Sequence, residues 1–243
     1  FAAAQVQRNL CGPRHWRRNS FEVAGEIFPV RHLSGDFISV IEVKNELRFA
    51  IGDIAGKGLQ AAMWFTQVVS LIQLNMLRFE DPASALSGTN SDLHATPVRA
   101  PLTTVFLGAL NLDSGRLRYC GAGHPPALLL RSEGATVPLS QGGLPLNALP
   151  GVRYQGGEID VEPGDTLVGF SDGIVECSNG VSEEFGVNGL TDAARKGSGV
   201  SAAATLFCVL GAVGDFAASR TREDDFALLV LHREPGAVER IGR

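Results

Sequence analysis

The sequence is short of the features that would place it quickly. Its four cysteines, Cys11, Cys120, Cys177 and Cys208, are widely dispersed and form no Cys-x-x-Cys pair. A zinc cluster is therefore disfavoured, and the thiols read as those of a reduced, cytoplasmic protein. No apolar run reaches the length of a bilayer span, and there is no secretory signal pattern. Positive charge is not in excess: 21 basic residues face 26 acidic ones, a net of -5. That balance removes any general reason to bind nucleic acid or to insert into or coat anionic membranes. The one basic cluster, Arg14, Arg17 and Arg18, reads as a solvated linker face. Internal repeats and low-complexity tracts are absent as well.

What is present is an ordinary globular chain of 243 residues, 44% of them hydrophobic, long enough to bury a core without staples. Strong helix formers occupy residues 1–10 and meet Gly12-Pro13, which stops a helix. Short apolar runs with strand character follow at 21–28, 37–43 and 47–51, with Asn45 at the turn between the last two. Residues 59–79 form the best helical stretch, crowded with apolar side chains on most turns; Trp64, Phe65, Leu71 and Ile72 there are expected core. A polar stretch, 81–102, reads as a weak helix and a loose loop. Strands return at 103–110, 117–120, 127–130, 166–170 and 226–231, with a hairpin turn at Asp113-Ser-Gly115. A second long helix is expected over 200–216. This order predicts an α+β fold with mostly antiparallel sheet.

The run Gly52-Asp-Ile-Ala-Gly-Lys-Gly58 resembles a phosphate-cradling loop but fails its test. A Walker-type loop needs four residues between its glycines and a Ser or Thr after the lysine. Here three residues separate Gly52 from Gly56, and Gly58 follows Lys57. Asp53 then becomes the residue to explain, because an acid at the end of an apolar strand is costly to bury unless paired or bound to a cation. The pattern recurs at Asp36, after His32-Leu-Ser-Gly, at Asp172, after Phe170-Ser, and at Glu223-Asp224-Asp225 before the last strand. If those ends converge, they form an all-oxygen cluster suited to Mg²⁺ or Mn²⁺. Two such ions can make a nucleophile of a shared water, and a phosphoester is the natural substrate for that chemistry. Glycines beside the aspartates let the backbone come close.

Taken in order, several stretches resemble the metal-dependent protein phosphatases (PPM or PP2C-like), in particular their bacterial sigma-factor-regulator, SpoIIE/RsbU-like branch. They are Ser34-Gly-Asp36, Ile51-Gly-Asp-Ile-Ala-Gly-Lys-Gly-Leu-Gln-Ala-Ala62, Cys120-Gly-Ala-Gly-His-Pro-Pro126, Pro163-Gly-Asp165, Phe170-Ser-Asp-Gly-Ile-Val-Glu176, Glu184-Phe-Gly186 and Asp224-Asp225. The resemblance covers essentially the whole chain. It implies a four-layer α-β-β-α sandwich of two mostly antiparallel sheets with flanking helices. It also implies hydrolysis of phosphoserine or phosphothreonine by direct attack of a water bridging two Mn²⁺ or Mg²⁺ ions. Carried over by position, Asp53 would bridge both ions, with the Ile54 carbonyl a further ligand. Asp172 and Asp224 would bind one or both, and Asp36 would help hold the second; Asp225 matches a polar position beside the ligands. Asp53, Asp172 and Asp224 are the expected catalytic set.

The resemblance is incomplete at some positions. Ser34 stands where the family's motif has glycine, which would strain the loop if that position required positive φ. The general-acid histidine of eukaryotic relatives has no match near Lys57-Gly58, and Arg31 is a weak candidate for their phosphate-binding arginine. His124 is expected to be structural, Gly164-Asp165 a turn, and Lys57 either a phosphate contact or a solvated lysine. Glu176 is either a neighbour of the site or a surface carboxylate. The expected organisation is a connector over 1–19, a phosphatase domain over 20–234 and a tail over 235–243. A phosphorylated partner such as an anti-sigma-factor antagonist is the expected substrate, with a possible homodimer and an upstream sensor, since the chain opens on Phe1. The rival expectations are a silent docking module of the same fold and a small-molecule phosphoesterase.

Overall fold

The computed structural model describes residues 2–30, 33–56, 59–98, 100–179, 183–217 and 224–236, the side chains of 2–4 and 59–62 excepted. In chain order the elements begin with α1 (Ala2–Leu10), β1 (His15–Arg18), β2 (Phe21–Phe28), β3 (Asp36–Val43) and β4 (Glu46–Ile54). Helices α2 (Leu59–Arg78) and α3 (Pro82–His94) come next, then β5 (Thr103–Asn111), β6 (Arg116–Ala122), β7 (Ala127–Leu130), β8 (Thr136–Leu139), β9 (Gly142–Gly143), β10 (Gly157–Asp160) and β11 (Thr166–Phe170). The chain closes with α4 (Asp172–Val175), α5 (Gly186–Ser198), α6 (Ala202–Phe216) and β12 (Phe226–Arg233).

Among the described residues the strands form two sheets. One runs β1-β2-β12-β11-β7-β8 and the other β10-β6-β5-β4-β3, with β9 added in parallel beside β6; the remaining pairs are antiparallel. The central strands β4, β5, β11 and β12 are buried along nearly their whole length. Such strands need cover on both faces, which is why they read as continuous apolar runs instead of alternating ones. Alternation still decides which neighbour each residue meets. Along β12, Leu229 and Leu231 join the core that also holds Ile38, Phe49, Ile51 and the α2 residues Phe65, Val68 and Ile72. Leu228 and Val230 point the other way, onto Leu206, Val209 and Val213 of α6 and Leu190 of α5. The result is the four-layer sandwich expected above: helices α2 and α3 outside one sheet, α5 and α6 outside the other.

Several stretches go beyond the sequence expectation, among them the short strands β8 and β10. His15–Arg18, placed in a solvated linker, pairs with β2 as an edge strand, while Arg14, Arg17 and Arg18 form ion pairs with Glu26, Glu234 and Glu42. Part of the stretch expected to be weakly helical is a regular helix, α3. Asp81 caps it by accepting from the Ser84 N–H at 2.9 Å, and Pro82 opens its first turn. Helix α5 was not anticipated, since its glycines and polar residues mask a face carried by Leu190, Ala193 and Ala194. At the far end of α2, the buried Arg48 of β4 donates to the carbonyls of Met76 and Phe79 and pairs with Glu46. Among the described residues, no helix is long and apolar enough to cross a membrane.

Candidate active site

The carboxylates anticipated at four strand ends come together at one end of the sandwich. Asp36 opens β3 and lies directly opposite Asp53 in the β3–β4 register. Asp172 follows the end of β11, and Asp224-Asp225 precede β12, its antiparallel neighbour in the other sheet. Asp36 is buried, Asp53 and Asp225 are partly exposed, and Asp172 and Asp224 face solvent. The cluster thus opens from a closed floor to an accessible rim.

The glycines account for how closely these groups approach. A Cβ on Gly35 would lie 2.5 Å from Asp53 Oδ1 and 2.8 Å from the Ile54 carbonyl oxygen. Both oxygens therefore border one spot, where only the bare backbone of Gly35 fits. A Cβ on Gly173 would fall 2.2 Å from the Asp225 carbonyl. Around the floor, Ser171 donates its hydroxyl to Asp36 Oδ2 at 2.8 Å and accepts from the Ala227 N–H at 2.9 Å, joining the two sheets. Asp225 accepts from the Val30 N–H at 2.7 Å, the Ser34 hydroxyl at 2.8 Å and the Gly35 N–H at 3.0 Å. With its oxygens so engaged, Asp225 grips the loop before β3 and holds the floor in shape.

Like charges crowded on a half-dry floor resist ionisation. Burial, then the neighbouring Asp53, holds the Asp36 carboxyl well above the usual carboxylate range. Burial, then Asp172, Asp224 and Asp225, raises Asp53 to about 6. Glu176, exposed at the end of α4, is also raised, chiefly by Asp172, which makes it a neighbour of the site. Among the described residues, no three His, Cys, Asp or Glu side chains lie together closely enough to hold a metal ion between them. The donor set instead suits an open site, in which a hard cation takes one or two carboxylates and keeps several waters.

His124 has no place at this chemistry. Its Nδ1 lies 2.9 Å from the hydroxyl of Thr104, the residue opposite Asp53 in the β4–β5 register. Burial, opposed by a bond to the Phe170 backbone, lowers its pKa to about 4, so the ring is neutral at physiological pH. It steadies the strand beside Asp53, the structural role expected of it. Asp165 is fully buried and holds a turn by accepting from Arg131, the Ser132 N–H and the Glu162 N–H. Arg31, His32, Lys57 and Glu223 lie outside the described residues. Ser171, Thr104 and Gln7, which contacts the loop before β3, were not singled out from the sequence.

A family model described as Stage II sporulation protein E (SpoIIE) matches residues 44–234. The chain belongs to the SpoIIE family. This SpoIIE-family domain is 26% identical over 235 residues to the phosphoserine phosphatase RsbU of Bacillus subtilis, covering 96% of the chain and 69% of RsbU. Two further curated relatives are covered over 33% and 37% of their length. Among solved structures, the SiaA-PP2C domain of Pseudomonas aeruginosa superposes with a TM-score of 0.81 at 17% identity, over 95% of this chain and 94% of that one. The catalytic domain of the serine/threonine phosphatase PstP, solved with two manganese ions, gives 0.60 at 15% identity over 87% and 97%. This chain thus shares the fold of both solved structures, the PP2C fold named for the SiaA domain.

Proposed function

We propose that this domain is a Mn²⁺- or Mg²⁺-dependent protein serine/threonine phosphatase that hydrolyses its phosphoester by direct attack of water. The observation that carries the reading is the convergence of Asp36, Asp53, Asp172 and Asp224 from both sheets. Burial and the neighbouring carboxylates hold Asp36 above its ordinary range and Asp53 at about 6, so a cation placed among them would relieve the crowding. Asp53 and the Ile54 carbonyl would hold the ions at the centre, Asp172 and Asp224 at the rim, and Asp36 from the floor, directly or through water. Divalent cations bound there would lower the pKa of a water and neutralise phosphoryl charge. Two ions are proposed, in keeping with the two reported for PstP.

The remaining work falls to the chain itself. Ser171 and Asp225 hold the floor in place through their hydrogen bonds, and the exposed rim of Asp172, Asp224 and Glu176 leaves room for a protein-borne phosphoester. The likeness to the phosphoserine phosphatase RsbU supports a phosphoserine-bearing protein as substrate, and a signalling domain of the anti-sigma-factor-antagonist kind is the one proposed. In the same reading residues 1–19, of which His15–Arg18 is built into the first sheet, link a sensor to the phosphatase domain over 20–234, in a cytoplasmic protein. A substrate panel tests this. With Mn²⁺, a folded phosphoserine domain should be turned over with kcat/KM at least about tenfold above nucleotides or sugar phosphates. A preference for the small phosphoesters would overturn the assignment to protein substrates.

A further inference from the structure

The loop that carries Asp36 is held from two separate parts of the chain, Gln7 of α1 and Asp225 before β12, and both holds meet at Ser34. Its hydroxyl donates to Asp225 Oδ2 at 2.8 Å and accepts the Asp36 N–H at 3.0 Å. A hydroxyl can give and take at once, which neither glycine nor alanine can do. From α1, Gln7 clasps the Ser34 backbone: its Nε2 donates to the Ser34 carbonyl at 3.0 Å, and its Oε1 accepts the Ser34 N–H at 3.3 Å. Both residues are 8% exposed. The strain anticipated for serine here does not arise. Among the described non-glycine residues, only Asn19, Lys44 and Asn147 have positive φ, so glycine at 34 would relieve nothing. A cavity of about 160 Å³, lined by Gln7, Arg8, Ile27, Ser34, Asp36 and Phe65 among others, lies against the loop. Without the clasp, the loop has room to relax into it.

We propose that Ser34 is a positioning residue: its hydroxyl ties Asp36 to Asp225, and with Gln7 it fixes the carboxylate floor in the arrangement that binds the cation. Serine at this position strengthens the site. The inference rests on the cation-binding reading above, and its test keeps the two apart. The full chain, freed of metal, is titrated with Mn²⁺ alone by calorimetry. Ser34→Ala and Ser34→Gly should each weaken Mn²⁺ binding about tenfold, the scale of one charge-assisted hydrogen bond, and Gln7→Ala a few-fold. Ser34→Thr, which keeps the hydroxyl, should retain most of the affinity. Because the two clasps act on one loop, Ser34→Ala with Gln7→Ala should cost less than the product of the single effects. The metal-free melting temperature of Ser34→Thr should match wild type, and Gln7→Ala should stay folded with a melting temperature lower by only a few degrees. Ser34→Gly binding Mn²⁺ as tightly as wild type overturns the role of Ser34 while leaving the site intact. Wild-type binding by Asp53→Asn overturns the cation site itself. Should Ser34→Ala fail to fold, the Thr and Gln7 variants decide: Thr binding as weakly as Gly, or Gln7→Ala binding as wild type, refutes the clasp.

Discussion

Asp53 carries a pKa of about 6 against an ordinary 3.8, so between those values the folded chain holds a proton that the unfolded chain has lost. The metal-free protein is therefore expected to lose stability as pH rises from about 4 to about 6, and to stay reduced above that. Asp53→Asn removes this contribution. In EDTA at pH 7.5 it should raise the unfolding free energy by on the order of 1–2 kcal/mol, the shift being discounted for partial exposure. Calorimetric scans should show the gap closing towards pH 4.5 and reversing with Mn²⁺, which would stabilise wild type and not the variant. His124 has the opposite sign. Its pKa of about 4 lies below the ordinary 6.5, so its contribution is present above 6.5 and lost as pH falls towards 4. His124→Gln should destabilise by about 1 kcal/mol through the lost bond to Thr104 and leave the apparent pKa values of kcat/KM in place. Loss of the alkaline limb would make His124 an acid in the reaction after all. At this scale the aspartates were legible because a carboxylate ending an apolar strand needs a reason. Ser171 and Gln7 were not, because their partners are 135 and 27 residues away and only the packed sheets bring them together.

The elements that deliver the site do so through glycine and one buried arginine. Gly35→Ala would drive a methyl to 2.5 Å from Asp53 Oδ1. The expected result is a fall of at least about tenfold in Mn²⁺-dependent kcat/KM with the fold retained by circular dichroism. Unchanged kinetics would mean that the loop is not held where the structure places it. Arg48 donates to the Met76 carbonyl in the last turn of α2 and to the Phe79 carbonyl just beyond it, and the first turn of that helix follows Asp53 closely in the chain. Arg48→Met should cost about 2–3 kcal/mol in urea unfolding, since the helix end and Glu46 lose a buried partner. Strands such as Phe21–Phe28 and Ala127–Leu130 were readable to the residue, because apolar runs and turn residues bound them. Helix α5 and strands β8 and β10 were not. β8 and β10 are short and half-exposed, and α5 has a three-glycine sequence, so packing on a neighbour decides them more than propensity does.

For the molecule as a whole, the two-sheet sandwich explains why carboxylates distant in sequence converge. Asp36 and Asp53 end one sheet where Asp172 and Asp224 end the other. That facing of ends was visible in the sequence only through family resemblance; periodicity alone predicted α+β and went no further. The linker expected before residue 20 is in part a strand of the first sheet, because pairing with β2 and ion pairs to Glu42 and Glu234 outweigh its polar composition. The central claim is that this junction is a divalent-cation phosphatase centre. Its most direct test is phosphate release from a phosphoserine protein by the wild-type chain with Mn²⁺, with EDTA, and by Asp53→Asn with Mn²⁺. Release with Mn²⁺ that stops in EDTA and falls by at least about a thousandfold in Asp53→Asn is the predicted result. Release that persists in EDTA or in Asp53→Asn would contradict the account, as would a folded wild-type chain that releases no phosphate with either Mn²⁺ or Mg²⁺.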